Sequence, residues 1–156
     1  SIGKIYDIYA GQGITKSYPS RSNDEGMEIL SEVVGKPFTG LAFLNLVDFD
    51  MKYGHRRDCA GYAQAIEIFD AQLQSLLDSL TDRDLLILTA DHGNDPTHTG
   101  SDHTREYVPI LLYSKGLAKM RGMGTLDTFS VIGATIADNF QVAYSAIGES
   151  VIPILV

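Results

Sequence analysis

The chain has 156 residues with one cysteine, no tryptophan and 44% hydrophobic residues, and its 12 Lys plus Arg against 20 Asp plus Glu give a net charge of −8. That length predicts one domain burying about 70% of its extended surface, while the lone Cys59 excludes an intramolecular disulfide or a zinc–cysteine cluster and suits a reducing, cytoplasmic setting. The negative field opposes nucleic acid, and it opposes an anionic substrate unless cations reverse it locally; no apolar run nears the ~20 residues of a membrane span, and Ser1-Ile2-Gly3-Lys4 does not open a signal peptide.

In chain order, residues 4–10 alternate Ile and Tyr before Gly11 and Gly13 and read as a strand. Residues 23–34 read as a helix, with Ser22, Asn23 or Asp24 as cap and Gly35 and Pro37 as its stop. The apolar run 41–47 has strand length and predicts burial on both faces, delivering Asp48, Phe49 and Asp50 at its end. Residues 58–80 are the clearest helix, capped by Asp58, with Tyr62, Ile66, Phe69, Leu73, Leu76, Leu77 and Leu80 at steps of three and four. A strand at 84–90 delivers Asp91 and His92, a polar loop follows to Arg105, and 107–113 reads as a third strand. Residues 128–139 fit a helix capped by Thr125, Asp127 or Thr128, and the tail from Gln141 lacks periodicity. Strands alternating with helices predict an α/β fold, a mostly parallel sheet flanked by helices.

In such sheets ligands sit beyond the carboxyl ends of the strands. Two apolar strands here end in Asp48-Phe49-Asp50 and Asp91-His92, with His55 and His103 in the adjoining loops. Carboxylates and imidazoles beside hydrophobic strands are costly unless something positive binds them, and that mixture without thiolate suits Mn, Zn or Fe. Adjacent Asp91 and His92 can converge on an ion only in a loop, because a strand sends neighbours to opposite faces. Each piece also has an ordinary reading. Asp-His-Gly is a common turn, Asp48 fits a turn hydrogen bond better than a ligand role, His98 fits an exposed loop, and Arg56-Arg57 fits a solvated face better than a phosphate contact. Their convergence on one predicted sheet edge favours the metal reading.

Segments 45–58 (NLVDFDMKYGHRRD), 89–97 (TADHGNDPT) and 102–109 (DHTREYVP), with the opening 3–15 and residues 127–135, resemble the phosphopentomutases of the alkaline phosphatase superfamily over nearly the whole chain. The resemblance implies an alkaline-phosphatase-like core and interconversion of ribose or deoxyribose 1-phosphate and 5-phosphate through a phosphothreonine. It also implies two Mn²⁺ ions and a sugar bisphosphate activator. Asp50, His55 and His103 match the ligands of one ion, and Asp91 and His92 match two ligands of the other. Lys4 matches the point where such chains re-enter the core from a cap domain and is the candidate for substrate phosphate. The family's first metal-binding aspartate, its nucleophilic threonine and its cap domain have no counterpart among these residues. The chain is therefore expected to be the C-terminal portion of the core, inactive alone, and none of Thr15, Thr89, Thr97, Thr99 and Thr104 matches the nucleophile. Two alternatives remain: a cofactor-independent phosphoglycerate mutase or phosphatase of the same superfamily, and a non-catalytic metal-binding module.

Overall fold

Capping chemistry sets the helices of the first of two units, Ser1–Leu80 with His92–Pro109, in the computed structural model, which describes residues 1–117 and 121–155. Helix α1 is a single turn, Ile5–Ile8. Helix α2, Asn23–Val34, starts from an extended Ser22 whose hydroxyl accepts from Glu25 N at 3.2 Å, satisfying one amide that a helix start leaves without a partner. It buries Met27 and Leu30. Helix α3, Cys59–Ser79, starts at Asp58, whose carboxylate accepts from Gly61 N at 2.9 Å. Both starts match the sequence expectation.

The inward line of α3 runs through Ala65, Phe69, Leu73, Leu76 and Leu80, all buried or half-buried. Ile66, expected on that face, is 48% exposed; it lies about 100° round the helix from Ala65, which takes the inward place. Helix α3 packs on α2 and on a π-helical turn, Phe49–Gly54. Phe49 anchors that turn, its ring 5.7 Å from Tyr62 and 6.3 Å from Phe69 between centroids.

Two strand expectations are corrected here. Residues 4–10 form α1 instead, because Ala10 and Gly11 take left-handed backbone (φ 48° and 70°) and Gly11 N closes back onto Tyr6 O at 2.9 Å. Residues 41–47 carry only an isolated bridge, with Leu44 paired in parallel to Ile2, which bridges Tyr18 as well. Gly3 at φ 78° ends the extended run straight after Ile2, so no ladder can lengthen. Leu41 and Phe43 are exposed, contrary to burial on both faces.

The second unit is Thr81–Asp91 with Ile110–Val156. Strands β1, Leu86–Thr89, and β2, Ile110–Tyr113, pair antiparallel with Leu86 opposite Tyr113 and Thr89 opposite Ile110. The mostly parallel sheet is thereby corrected, since this pair is the sheet among the described residues. The connection between them holds no helix, and parallel neighbours need such a crossover. Helix α4, Ser130–Asn139, follows Thr128, whose hydroxyl accepts from Ser130 N. In the tail, α5 spans Ile152–Leu155. Thr135, 1% exposed, ties that tail to α4: its Oγ1 donates to Val131 O at 2.6 Å and accepts from Val151 N at 3.1 Å.

Candidate metal centre

The π-helical turn explains how Asp50 and His55 come together. Five residues along an α-helix leave two side chains about 140° apart. The wider turn, in which His55 N donates to Asp50 O at 3.0 Å, returns His55 towards the Asp50 side. His55 Nε2 lies 3.3 Å from Asp50 Oδ1. Asp48 is engaged by protein donors. It is 7% exposed, and its Oδ2 accepts from Asn23 N and Lys52 Nζ, both at 3.0 Å, so it pins the turn to the start of α2, as its turn-bonding reading requires.

The other imidazoles come from residues 92–103. Thr104 N donates to Gly93 O at 3.0 Å, closing an antiparallel bridge. Only glycine allows that approach, because a Cβ on Gly93 would stand 2.9 Å from both Glu106 N and Thr104 O. The bridge brings its two flanking histidines face to face: His92 and His103 stack at 3.7 Å between ring centroids, 22° from parallel. His103 Nε2 is 3.3 Å from Asp50 Oδ1. Asp50, His92 and His103 each offer one ligand atom, all within 4.8 Å of one another.

Tautomers follow from the neighbours. A carbonyl only accepts, so at the 2.5 Å contact between His55 Nδ1 and Ser101 O the proton sits on Nδ1. Nε2 is the ring nitrogen that faces Asp50. His92 Nδ1 is likewise 3.1 Å from Gly93 O. Backbone acceptors of this kind fix the rings of metal-binding histidines. The phenol of Tyr62 is held above its ordinary range, chiefly by burial and further by the negative charge of Asp50. The Thr97 hydroxyl and then its amide, both donating to Asp95, hold that carboxyl below its ordinary range.

Two pairs in the donor set have the spacing of ligands to one divalent ion. Ligands at 2.0–2.1 Å from one ion lie about 3.4 Å apart in tetrahedral and about 3 Å apart in octahedral arrangement; the two 3.3 Å imidazole–carboxylate separations match that range. One carboxylate with neutral imidazoles suits Mn, Zn or Fe. The model of the Metalloenzyme superfamily matches residues 3–144. The chain belongs to the Metalloenzyme superfamily. Its domain is alkaline-phosphatase-like, and membership together with the Asp50–His92–His103 group points to a metal-dependent enzyme.

Within this superfamily domain, the five expected ligands are placed as follows. His55 and His103 both lie beside Asp50, their ring centroids 4.8 Å apart. His92, assigned to a separate ion, stacks on His103 within the same group. Asp91 is exposed and closes the Thr81–Asp91 segment of the second unit. Lys4 precedes α1, and its Nζ donates to Met51 Sδ, next in sequence to Asp50. His98 is exposed, its Nδ1 2.7 Å from Thr99 O. No helix among the described residues is long and apolar enough to cross a membrane.

Two residues escaped the sequence reading. Asn94 Nδ2 donates to Asp50 Oδ1 at 2.6 Å. Arg57, expected on a solvated face, is half-buried and reaches five acceptors across the site. Neither an amide beside a glycine nor an arginine in a charged pair carries a sequence signal for such a role.

Proposed function

We propose that this chain carries the metal-binding core of a phosphopentomutase, acting on ribose or deoxyribose phosphates with Mn²⁺ and a sugar bisphosphate activator. The observation that carries the reading is the convergence of Asp50, His92 and His103, with His55 beside them, in a chain of the Metalloenzyme superfamily. Asp50, His55 and His103 would hold one ion, and Asp91 with His92 would contribute to a second. Divalent ions held there would supply charge neutralisation for the transferring phosphoryl group and would lower the pKa of an attacking oxygen. They also resolve the charge conflict, since a chain at −8 otherwise repels a sugar phosphate. The chain's own residues supply the frame: backbone carbonyls orient the imidazoles, and Lys4 offers an ammonium to the substrate phosphate from beside Met51. The reading places the nucleophilic threonine outside these residues and the activity in the cytoplasm, and it expects the chain alone to be inactive.

Calorimetric titration with Mn²⁺ tests the ligands. His103→Ala and Asp50→Asn should each weaken binding at least tenfold, and binding equal to the parent in both removes the assignment. Phosphorus NMR then tests the substrate. With Mn²⁺ bound, the chain should broaden the resonance of ribose 5-phosphate beyond the effect of free Mn²⁺, and Lys4→Ala should reduce that broadening without changing Mn²⁺ affinity. Broadening confined to 3-phosphoglycerate moves the reading to a phosphoglycerate mutase. Broadening of neither, with Mn²⁺ bound, leaves a non-catalytic metal-binding module.

A further inference from the structure

Arg57 occupies left-handed backbone, φ 54°, which non-glycine residues adopt only in small numbers. Its guanidinium faces inward. Nε donates to Gly100 O at 2.5 Å and Nη2 to Asp102 O at 2.6 Å. Nη1 reaches Asn94 Oδ1 and Asp95 O, both at 2.8 Å, and Gly54 O at 3.1 Å. Every guanidinium nitrogen thus meets a protein acceptor, which makes Arg57 a bracket between these segments.

The consequence lies in the amide of Asn94. Guanidinium has donors and no acceptor, so Arg57 compels Asn94 to present Oδ1 on its side. The same plane then turns Nδ2 towards Asp50, where it donates to Oδ1 at 2.6 Å. With the amide reversed, two oxygens would face each other. Gly54 makes the approach possible, because a Cβ there would stand 2.5 Å from Asn94 Nδ2. Asp50 Oδ1 is also the oxygen 3.3 Å from both His55 and His103, so the amide fixes the ligand carboxylate at the point where the imidazoles meet.

We propose that Arg57 and Asn94 form a positioning relay: Arg57 sets the direction of the Asn94 amide, and Asn94 holds the Asp50 carboxylate in the orientation that binds a divalent ion. The relay rests on the reading of Asp50 as a ligand. It assigns Arg57 and Asn94 no contact with substrate. Outer partners of metal ligands typically carry 10–100-fold of metal affinity, and two residues acting in series are non-additive.

The test is Mn²⁺ calorimetry on the parent, Asn94→Ala, Arg57→Lys and the double variant, with thermal unfolding of each in EDTA. Asn94→Ala should weaken Mn²⁺ binding about 10–100-fold, and adding Arg57→Lys to it should cost less than a further threefold. A merely structural Arg57 would instead lower the metal-free melting temperature and multiply its loss onto that of Asn94→Ala; multiplied losses, or parental affinity in Asn94→Ala, overturn the relay. Should Arg57→Lys fail to fold, Asn94→Ala alone still decides. A second measurement needs no metal: the Asn94 side-chain amide protons should exchange slowly with solvent in the parent and rapidly in Arg57→Lys. Fast exchange in the parent also overturns the proposal. If the parent binds no Mn²⁺ yet its Asn94 protons are protected, the ligand reading of Asp50 fails and the relay falls with it, whereas Mn²⁺ binding by the parent with equal affinity in Asn94→Ala fails the relay alone.

Discussion

Replacing Gly54 by alanine sets two effects of opposite sign against each other. Helix propensity favours alanine over glycine by about 1 kcal/mol, so propensity alone predicts a more stable protein. The surroundings of Gly54 predict the reverse. An added Cβ would lie 2.5 Å from Asn94 Nδ2, 2.6 Å from Asn94 Cγ and 3.0 Å from Phe49 O. Ordinary contact begins near 3.4 Å, so Asn94 must retreat by close to an ångström. It cannot do so and keep both its 2.6 Å bond to Asp50 and its 2.8 Å bond from Arg57. Overpacking costs about 1–3 kcal/mol, and a hydrogen bond to a charged group contributes about 1.5–3 kcal/mol. Less the propensity gain, the net is about 3 kcal/mol of destabilisation, or a fall of roughly 6–12 °C in melting temperature for a chain of this size. Circular dichroism at 222 nm, with EDTA present, measures it. Gly122→Ala is the control: a Cβ there meets nothing within 4 Å, and its effect should stay within about 0.5 kcal/mol. A melting temperature for Gly54→Ala at or above the parent's would refute the steric reasoning.

Three further outcomes follow from other parts of the molecule. Thr135→Val keeps the shape but leaves Val151 N without its buried acceptor, so it should destabilise by about 1–3 kcal/mol, read from chemical denaturation midpoints; an unchanged midpoint would show that the tail is held by other means. At the turn before β1, the amide and then the hydroxyl of Thr81 donate to Asp84 and hold its carboxyl below the ordinary value. A depressed folded pKa means stability that is present above the unfolded value and lost as pH falls through the folded one. The melting-temperature gap between parent and Asp84→Asn should therefore be full at pH 7 and close in the acid range below pH ~4, and a gap that widens on acidification contradicts the assignment. Mn²⁺ at about 100 times its dissociation constant should stabilise by about 2.7 kcal/mol, raising the melting temperature by roughly 5–11 °C; EDTA should reverse the rise, and Asp50→Asn should cut it by about half or more.

Sequence chemistry locates the three longer helices, α2, α3 and α4, because their ends are local events. Ser22 and Asp58 accept from amides three residues on, and that pattern is visible without tertiary structure. The strands were less legible because a strand needs a neighbour. The alternation at 4–10 reads as a strand, yet left-handed backbone at Ala10 and Gly11 coils it, and among the described residues 41–47 pairs only with Ile2. For the site, residue type revealed the imidazoles and Asp50, since few other side chains bind divalent ions. Their grouping was less visible. Asp50 and His55 share a side through a π-helical turn, a period that neither the helical nor the strand template contains. Asn94 and Arg57 act through hydrogen bonds to atoms far along the chain, and nothing in their immediate sequence encodes that.

The distance along the polypeptide between Asp50 and His103 gives the centre a second meaning. An ion gripped by both would close a covalent-like ring of about fifty residues, and by chain-entropy reasoning a tether of that span restricts the unfolded ensemble by about 4 kcal/mol. A protein whose sole thiol is Cys59 cannot make such a tie with sulfur, so mineral supply would govern how long the polypeptide survives proteolysis as well as what it catalyses.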